Sequence, residues 1–172
     1  MQLFVKRLTK SAKLPTKAHN DDAGYDLYAD EDVTIYPGET VKIHTGISIA
    51  PMSIADSGYE TVVSLLWDRS GLGSKGIHRL AGVIDFSYRG EILVCLTNLN
   101  IYPVLQEIYN IFLDASSHKK MSEAIADNIY YVKKGDRIAQ LLPQKVLKVE
   151  LVETDDLVNS ERGTDGFGST GR

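Results

Sequence analysis

The chain has little of what builds disulfide frameworks, zinc sites or membrane spans. Its single cysteine, Cys95, excludes a disulfide within the chain, and a thiol in the apolar run from Ile92 to Leu99 is typical of a buried, unreactive side chain. The four histidines show no metal-ligand spacing with one another or with Cys95. No apolar run is long enough to span a bilayer, and charges interrupt the N-terminal apolar residues, so there is no signal-peptide core. We therefore expect a cytoplasmic protein.

An excess of positive charge is also missing. The net charge of −4 gives no general attraction to nucleic acid or to an anionic membrane, so we expect neither as a partner. An anionic ligand would need a locally basic site. The composition, 43% hydrophobic and 24% charged over 172 residues, is that of one folded domain with a sizeable core. Four arginines could supply a basic site: Arg69, Arg89, Arg137 and Arg162.

Short stretches of alternating residues recur along the chain. From Thr40 to Ala50 every second residue is suited to a buried face, which predicts a strand with one face in the core. Many such strands without long helices between them indicate an antiparallel sandwich or barrel. Further strands are predicted at Gln2 to Lys6, Tyr25 to Ala29, Tyr59 to Leu66, Glu91 to Leu99, Arg137 to Leu142 and Val146 to Val152.

One segment breaks this rhythm. From Ser116 to Asn128, the residues Met121, Ile125 and Ile129 recur at helical spacing, which predicts a short amphipathic helix with Ser116 or Ser117 as its N-cap. The helix lies within the stretch 101–131. Two interpretations stay open: a surface insertion whose helix packs on its own barrel, or an element that binds a protein partner or acts as a lid.

Five segments carry residue types suited to a nucleoside triphosphate. Glycine and serine beside a cation let backbone amides approach an anion closely, and an aspartate that follows a strand can take a proton. Each segment alone has an ordinary structural explanation, such as an aspartate that caps a turn. Together, and in this order, they resemble the trimeric dUTPases: AGYDLYA (23–29), DRSGLGSKG (68–76), GVIDFSYRG (82–90), KGDRIAQL (134–141) and RGTDGFGSTG (162–171).

The resemblance implies an all-β jelly roll, a distorted β-barrel, with a short helix in an insertion. Residues 1–152 would form the domain, with the insertion at about 101–131, and residues 153–172 a flexible tail that closes over the site. It also implies a homotrimer in which each active site draws its segments from three subunits.

The activity implied is hydrolysis of dUTP to dUMP and pyrophosphate. Asp85 would orient and deprotonate a water that attacks the α-phosphorus, and Gln140 would help to fix that water. Mg²⁺ would be bound by the triphosphate, with Asp26 holding its water ligands in the outer shell.

Substrate binding is implied at eleven positions. Ser70 and Gly71 would hold phosphates with Arg69 beside them, and Tyr88 would lie under the deoxyribose, leaving no room for a 2′-hydroxyl. Backbone around the hairpin would read uracil, and the tail would supply a ring to stack on the base, a cation for the γ-phosphate and further donors. The backbone residues are Leu80, Gly82 and Tyr88, and the tail residues are Arg162, Phe167, Gly168, Ser169 and Thr170.

Two neighbours of these positions differ from the family pattern. Arg79 stands where some members have an amide side chain, and Asp68 precedes Arg69, with which we expect it to pair.

Two functions other than dUTP hydrolysis stay open. A dCTP deaminase shares the fold and the phosphate cradle but would need a glutamate that acts on the base, and would not need Phe167 in a glycine-rich lid. A regulatory binding module would use 101–131 to bind a protein.

Overall fold

The computed structural model describes residues 2–51, 60–113, 118–161 and 163–164. Strands dominate these residues, which confirms the all-β class. Three helices interrupt them: α1 (Ser70–Gly73), α2 (Tyr102–Leu113) and α3 (His118–Asp127). The strands are β1 (Leu3–Arg7), β2 (Tyr25–Tyr28), β3 (Val33–Ile35), β4 (Thr40–His44), β5 (Ile47–Pro51), β6 (Glu60–Trp67), β7 (Ile77–Leu80), β8 (Val83–Ile84), β9 (Leu93–Asn98), β10 (Tyr130–Val132) and β11 (Arg137–Leu147).

The strands pair antiparallel in four small sheets. The largest has the order β2-β11-β6-β8, a second has the order β4-β9-β7, and the pairs β1-β5 and β10-β3 form the others. Within the described residues these sheets do not join into one closed wall, so the expected distorted barrel is open.

The core lies between the inner faces of these sheets. Alternation along β11 puts Ala139 and Leu141 in the interior, and Ile138, where the register with β2 shifts, is buried as well. Burial of a leucine or isoleucine side chain contributes about 1.5–3 kcal/mol. The other large side chains that are almost wholly buried are Leu27, Ile35, Ile43, Ile47, Val62, Ile77, Ile92, Val94, Leu96 and Val132.

The single strand predicted over Thr40 to Ala50 is two strands, β4 and β5, separated by a turn. Gly46 has a φ of +66°, a left-handed conformation that glycine adopts without strain. A Cβ at Gly46 would lie 2.8 Å from side-chain atoms of Thr9, Asp30 and Ala12, so the turn also packs closely on its surroundings. The predicted inward positions keep their face across the turn, because Ile43, Thr45, Ile47 and Ile49 are all buried.

The C-terminal strands differ from the prediction in the opposite way. Residues 137–142 and 146–152 were expected as two strands, but β11 is continuous and ends at Leu147. It pairs with β6 from Gln140 to Leu147, and Pro143 is accommodated opposite Ser64. From residue 148 to residue 152 the chain has no strand and its side chains are exposed.

The stretch 101–131 holds two helices where the sequence predicted one. α2 begins after Ile101, whose carbonyl accepts a hydrogen bond from Leu105 N at 2.9 Å. α3 covers most of the predicted helix, and Ile125 and Ile129 are half-buried. The proposed caps Ser116 and Ser117 lie outside the described residues, and so does the side chain of Met121. Nowhere in the described part of the chain is a helix long and apolar enough to cross a membrane.

Candidate active site

A buried carboxylate pairs with two arginines at one end of the largest sheet. Asp26, on β2, is 5% exposed. Its Oδ1 lies 2.9 Å from Arg69 Nε and its Oδ2 lies 3.3 Å from Arg137 Nη1. Arg69 Nη1 also donates to the carbonyl of Arg137 at 3.4 Å. Because a buried carboxylate needs such partners, this cluster holds two cations at the surface where an anionic ligand could meet them.

The helix α1 begins beside this cluster. Ser70 and Gly71 are its first residues, and their backbone amides have no partner within a helix because the first turn lacks preceding carbonyls. Ser70 is exposed, and the space beside the Gly71 Cα is open. The segment DRSGLGSKG therefore forms a single helical turn that presents a hydroxyl and backbone amides next to Arg69.

Gln140 lies on the central strand β11 within the same group. The register places it opposite Asp26 on β2 and opposite Trp67 on β6. Its side chain is half-buried. The predicted positions Asp26, Arg69, Ser70 and Gln140 are thus brought to one end of one sheet.

A second group of predicted residues surrounds a cavity of about 200 Å³. Its lining includes Leu80, Gly82, Asp85 and Tyr88, all of which were predicted, together with Glu91. Asp85 follows β8 directly and is exposed. The carbonyl of Asp85 accepts a hydrogen bond from Tyr88 N at 3.1 Å, which closes the turn after the strand.

Unusual backbone conformations shape the entrance to this cavity between β7 and β8. Ala81 has a φ of +60° and Gly82 a φ of +147°. A Cβ at Gly82 would lie 2.9 Å from the carbonyl oxygen of Leu66 and would overlap Arg79 Nη1, so only glycine fits. The Gly82 carbonyl accepts a hydrogen bond from Leu66 N at 2.8 Å, which holds the kink against β6.

The two groups lie apart in one chain. Gln140 is opposite Trp67 on one edge of β6, whereas Ile84, just before Asp85, is opposite Ser64 on the other edge. Gln140 and Ile84 are therefore about 10 Å apart along the strands, a distance of three residues, and about 10 Å apart across the sheet, a distance of two strand spacings. The structure therefore does not place Asp85 beside the cluster around Gln140.

Asp68 has other partners than expected, and Arg79 is one of them. Asp68 does not pair with Arg69, because Arg69 donates to Asp26. The Oδ1 of Asp68 accepts a hydrogen bond from Arg79 N at 2.6 Å, and the Oδ2 of Asp68 lies 2.7 Å from His78 Nδ1. The guanidinium of Arg79 donates to the carbonyl of Ala81 and lies 5.9 Å from the centre of the Trp67 ring. Arg79 therefore braces the β7-β8 kink.

The predicted tail residues fall outside the described part of the chain. They are Arg162, Phe167, Gly168, Ser169 and Thr170. Among the residues that are described, no group of three or more histidine, cysteine, aspartate or glutamate side chains could hold a metal ion.

Two contributors had no role assigned to them from the sequence, although Arg137 was one of the four candidate cations. Arg137 pairs with Asp26, which lies 111 positions earlier in the chain, and only its place in KGDRIAQL and its positive charge pointed to it. Glu91 lines the cavity and contacts His44. Nothing in the sequence around Glu91 distinguishes it from an ordinary polar residue at the end of a turn.

Comparisons with known proteins agree with this arrangement. The dUTPase family model matches residues 10–108 and 124–171, and the gap between them lies within the predicted insertion. A deoxyuridine 5′-triphosphate nucleotidohydrolase of Corynebacterium diphtheriae is 37% identical over 97% of this chain and 91% of its own, and one of Mycobacterium bovis is 36% identical over 98% and 94%.

Solved structures show the same fold. A mutant dUTPase of Staphylococcus bacteriophage 80alpha with dUpNHpp superposes with a TM-score of 0.76 at 29% identity, and the match covers 99% of each chain. The dUTPase of phage phi11 of S. aureus, whose structure visualises a species-specific insert, has a TM-score of 0.69 at 27% identity over 91% of this chain and 98% of that one. The fold is thus the expected jelly roll, and the chain belongs to the dUTPase family.

Proposed function

We propose that this chain hydrolyses dUTP to dUMP and pyrophosphate. The observation that carries the proposal is the cavity in which Asp85, Tyr88, Gly82 and Leu80 meet, in a member of the dUTPase family. A related structure was solved with the analogue dUpNHpp, and a cavity with one exposed carboxylate at its edge suits a nucleoside with a reacting phosphate.

The cavity would hold the base and the sugar. Backbone groups of Leu80, Gly82 and Tyr88, which line the cavity beside the kink at Ala81 and Gly82, would read the edge of uracil. The ring of Tyr88, 46% exposed, would lie under the deoxyribose. A ribose hydroxyl would there be buried without a partner, and burial of an unpaired hydroxyl costs about 1–3 kcal/mol in proteins.

Asp85 would accept the proton of the attacking water. The oxygen of that water would bond to the α-phosphorus while the bond from this phosphorus to the bridging oxygen breaks, and pyrophosphate would leave with that oxygen. A carboxylate is ionised at neutral pH and can take this proton. Gln140 would help to hold the water, and Arg69, Arg137 and the amides of Ser70 and Gly71 would bind phosphate oxygens.

Mg²⁺ would arrive with the triphosphate and offset negative charge on its oxygens. The carboxylate of Asp26 suits the water ligands that such an ion keeps. Asp26 could still accept hydrogen bonds from metal-bound water, since a carboxylate has about four acceptor positions and the two arginines use two.

We propose that the site is completed across subunits of a homotrimer. The separation of Asp85 from the cluster around Gln140 within one chain supports this arrangement. The tail residues Arg162 and 167–170 would close over the nucleotide as a lid. A protein partner at 101–131 and the cytoplasmic location stay predictions of the sequence.

Product analysis tests the proposal and separates it from deamination. Purified protein with Mg²⁺ is incubated with dUTP or with dCTP, and pyrophosphate and ammonia are measured in both. We expect pyrophosphate and dUMP from dUTP and no ammonia from dCTP. Ammonia from dCTP without pyrophosphate from dUTP would establish the deaminase instead.

A further inference from the structure

We infer that Glu91 is a positioning residue, which fixes the loop after β8 to the turn between β4 and β5 and thereby holds the ring of Tyr88 against the sugar. The inference rests on the proposed function for the meaning of the Tyr88 position. Its structural part, that the Glu91 side chain holds the loop, stands on contacts within this chain.

Both carboxylate oxygens of Glu91 are engaged by the β4-β5 turn. Oε1 accepts a hydrogen bond from Gly46 N at 2.8 Å, and Oε2 lies 2.8 Å from His44 Nδ1. The side chain of Glu91 is 24% exposed, so these bonds are partly shielded from water. Hydrogen bonds to an ionised acceptor are stronger than those between neutral groups.

The same turn and the start of β5 hold the neighbouring backbone. Ser48 Oγ donates to the carbonyl of Arg89 at 2.8 Å, and Thr45 Oγ1 donates to the carbonyl of Ile92 at 2.6 Å. Ile92 N donates to the carbonyl of Ile47 at 2.9 Å. Glu91 lies between Arg89 and Ile92, whose carbonyls are held by these hydrogen bonds. Loss of the Glu91 carboxylate removes the two side-chain contacts that hold Glu91 itself to the turn.

The backbone of Glu91 in turn sets the position of Tyr88. The Tyr88 hydroxyl donates to the carbonyl oxygen of Glu91 at 3.0 Å. A Cβ on Gly90 would overlap that hydroxyl, so the ring closely covers the glycine between them. A shift of the Glu91 carbonyl therefore moves the tyrosine ring, which lines the same cavity as Asp85.

A double-mutant cycle of Glu91→Ala and Tyr88→Phe tests this path. Steady-state kinetics with dUTP and UTP are measured for both single variants, the double variant and Glu91→Gln. We expect Glu91→Ala to raise the KM for dUTP and to lower the preference for dUTP over UTP in kcat/KM by about tenfold. Tyr88→Phe cuts the link to the Glu91 carbonyl, so the double variant should be no worse than the more impaired single variant.

Glu91→Gln should retain most of the preference. Its amide oxygen can accept the hydrogen bond from Gly46, and its NH₂ group can donate to the neutral His44 ring. The matched control is Glu39→Ala, which removes a carboxylate that accepts a hydrogen bond from Tyr36 N at 2.9 Å in the β3-β4 turn. The control should keep the parent preference. Unchanged kinetics in Glu91→Ala, or fully additive effects in the cycle, would overturn the inference.

Hydrogen exchange without nucleotide separates this inference from the proposed function. Mass spectrometry of the peptide covering residues 85–92 should show faster amide exchange in Glu91→Ala than in the parent and in Glu39→Ala. Unchanged exchange would overturn the positioning role, even in a protein that hydrolyses dUTP. Faster exchange in Glu91→Ala, together with a parent protein that does not hydrolyse dUTP, would refute the proposed function alone.

Discussion

At the scale of single residues, the charged side chains of the candidate site are held by specific partners, such as Asp26 by Arg69 and Arg137. The five segments predicted the positions of a site, and the structure gathers the described ones into two groups. The sequence did not predict which charged side chains pair with each other. Asp68 was expected to pair with Arg69, but Arg69 donates to Asp26, 43 positions away. A distant pairing of this kind depends on how β2 and β6 flank β11, which local patterns do not specify.

Asp85→Asn is expected to abolish turnover and to leave nucleotide binding largely intact. The amide is nearly the same size as the carboxylate but cannot accept the proton of the water. Single-turnover hydrolysis and calorimetric binding of a non-hydrolysable dUTP analogue measure the two effects. A residual rate within about tenfold of the parent would contradict the role of Asp85 as the general base.

His44 predicts a pH dependence of stability. The hydrogen bond to Glu91 raises the pKa of His44 above its usual 6.5, with further contributions from the charges of Glu91, Glu31 and Asp30. A raised pKa in the folded protein stabilises it fully below the unfolded value, and this stabilisation is lost as the pH rises through the folded value.

The measurement compares melting temperatures of the parent and His44→Gln from about pH 5.5 upward. The advantage of the parent should be largest below about pH 6.5 and should shrink at higher pH. An advantage that grows with pH would show that the His44 and Glu91 pair does not act as described.

At the scale of elements, period-two alternation identified the strands that have one face in the core. It did not identify β3 and β10, because three residues are too few to show a period, whereas β8 is the strand-like pair of Val83 and Ile84 expected before Asp85. The break between β4 and β5 was missed because the buried positions continue through Thr45, and only the left-handed Gly46 turns the chain. The helix α2 was not predicted; it occupies the first part of the stretch 101–131, where the sequence predicted only the helix that α3 covers.

Gly82→Ala is expected to damage the turn between β7 and β8. The added methyl group would clash with the Leu66 carbonyl and displace Arg79. The backbone conformation at position 82, with a φ of +147°, also costs about 1–3 kcal/mol for a residue other than glycine. The free energy of unfolding measured in urea should fall, and the KM for dUTP should rise. Parent stability together with parent KM would show that the kink does not form the base site.

At the scale of the whole molecule, the central consequence of the fold is the separation of the two groups. Family resemblance predicted a site shared among subunits, and the β6 register supports that proposal. The tail residues predicted to bind the nucleotide, Arg162 and 167–170, lie outside the described residues, so their contacts stay a prediction of the sequence.

A mixture of two inactive variants tests the shared site. Asp85→Asn and Ser70→Ala subunits are unfolded, mixed in equal amounts and refolded together. If Asp85 and Ser70 of one site come from different subunits, about a quarter of the sites in random trimers regain both residues, and activity returns to that fraction. Each variant refolded alone is the control, and a mixture as inactive as both controls would place the two residues of each site in one subunit.

The most direct test of dUTP hydrolysis is pyrophosphate release measured side by side with dUTP, dTTP, dCTP and UTP at equal concentrations. A cavity bounded by the backbone of Leu80 and Gly82 and by the Tyr88 ring should admit uracil on a deoxyribose and reject a methylated base, an amino-substituted base and a ribose. We expect rapid release from dUTP and release from the other three nucleotides lower by about two orders of magnitude or more. Equal rates with dUTP and UTP, or no release from dUTP, would contradict the account.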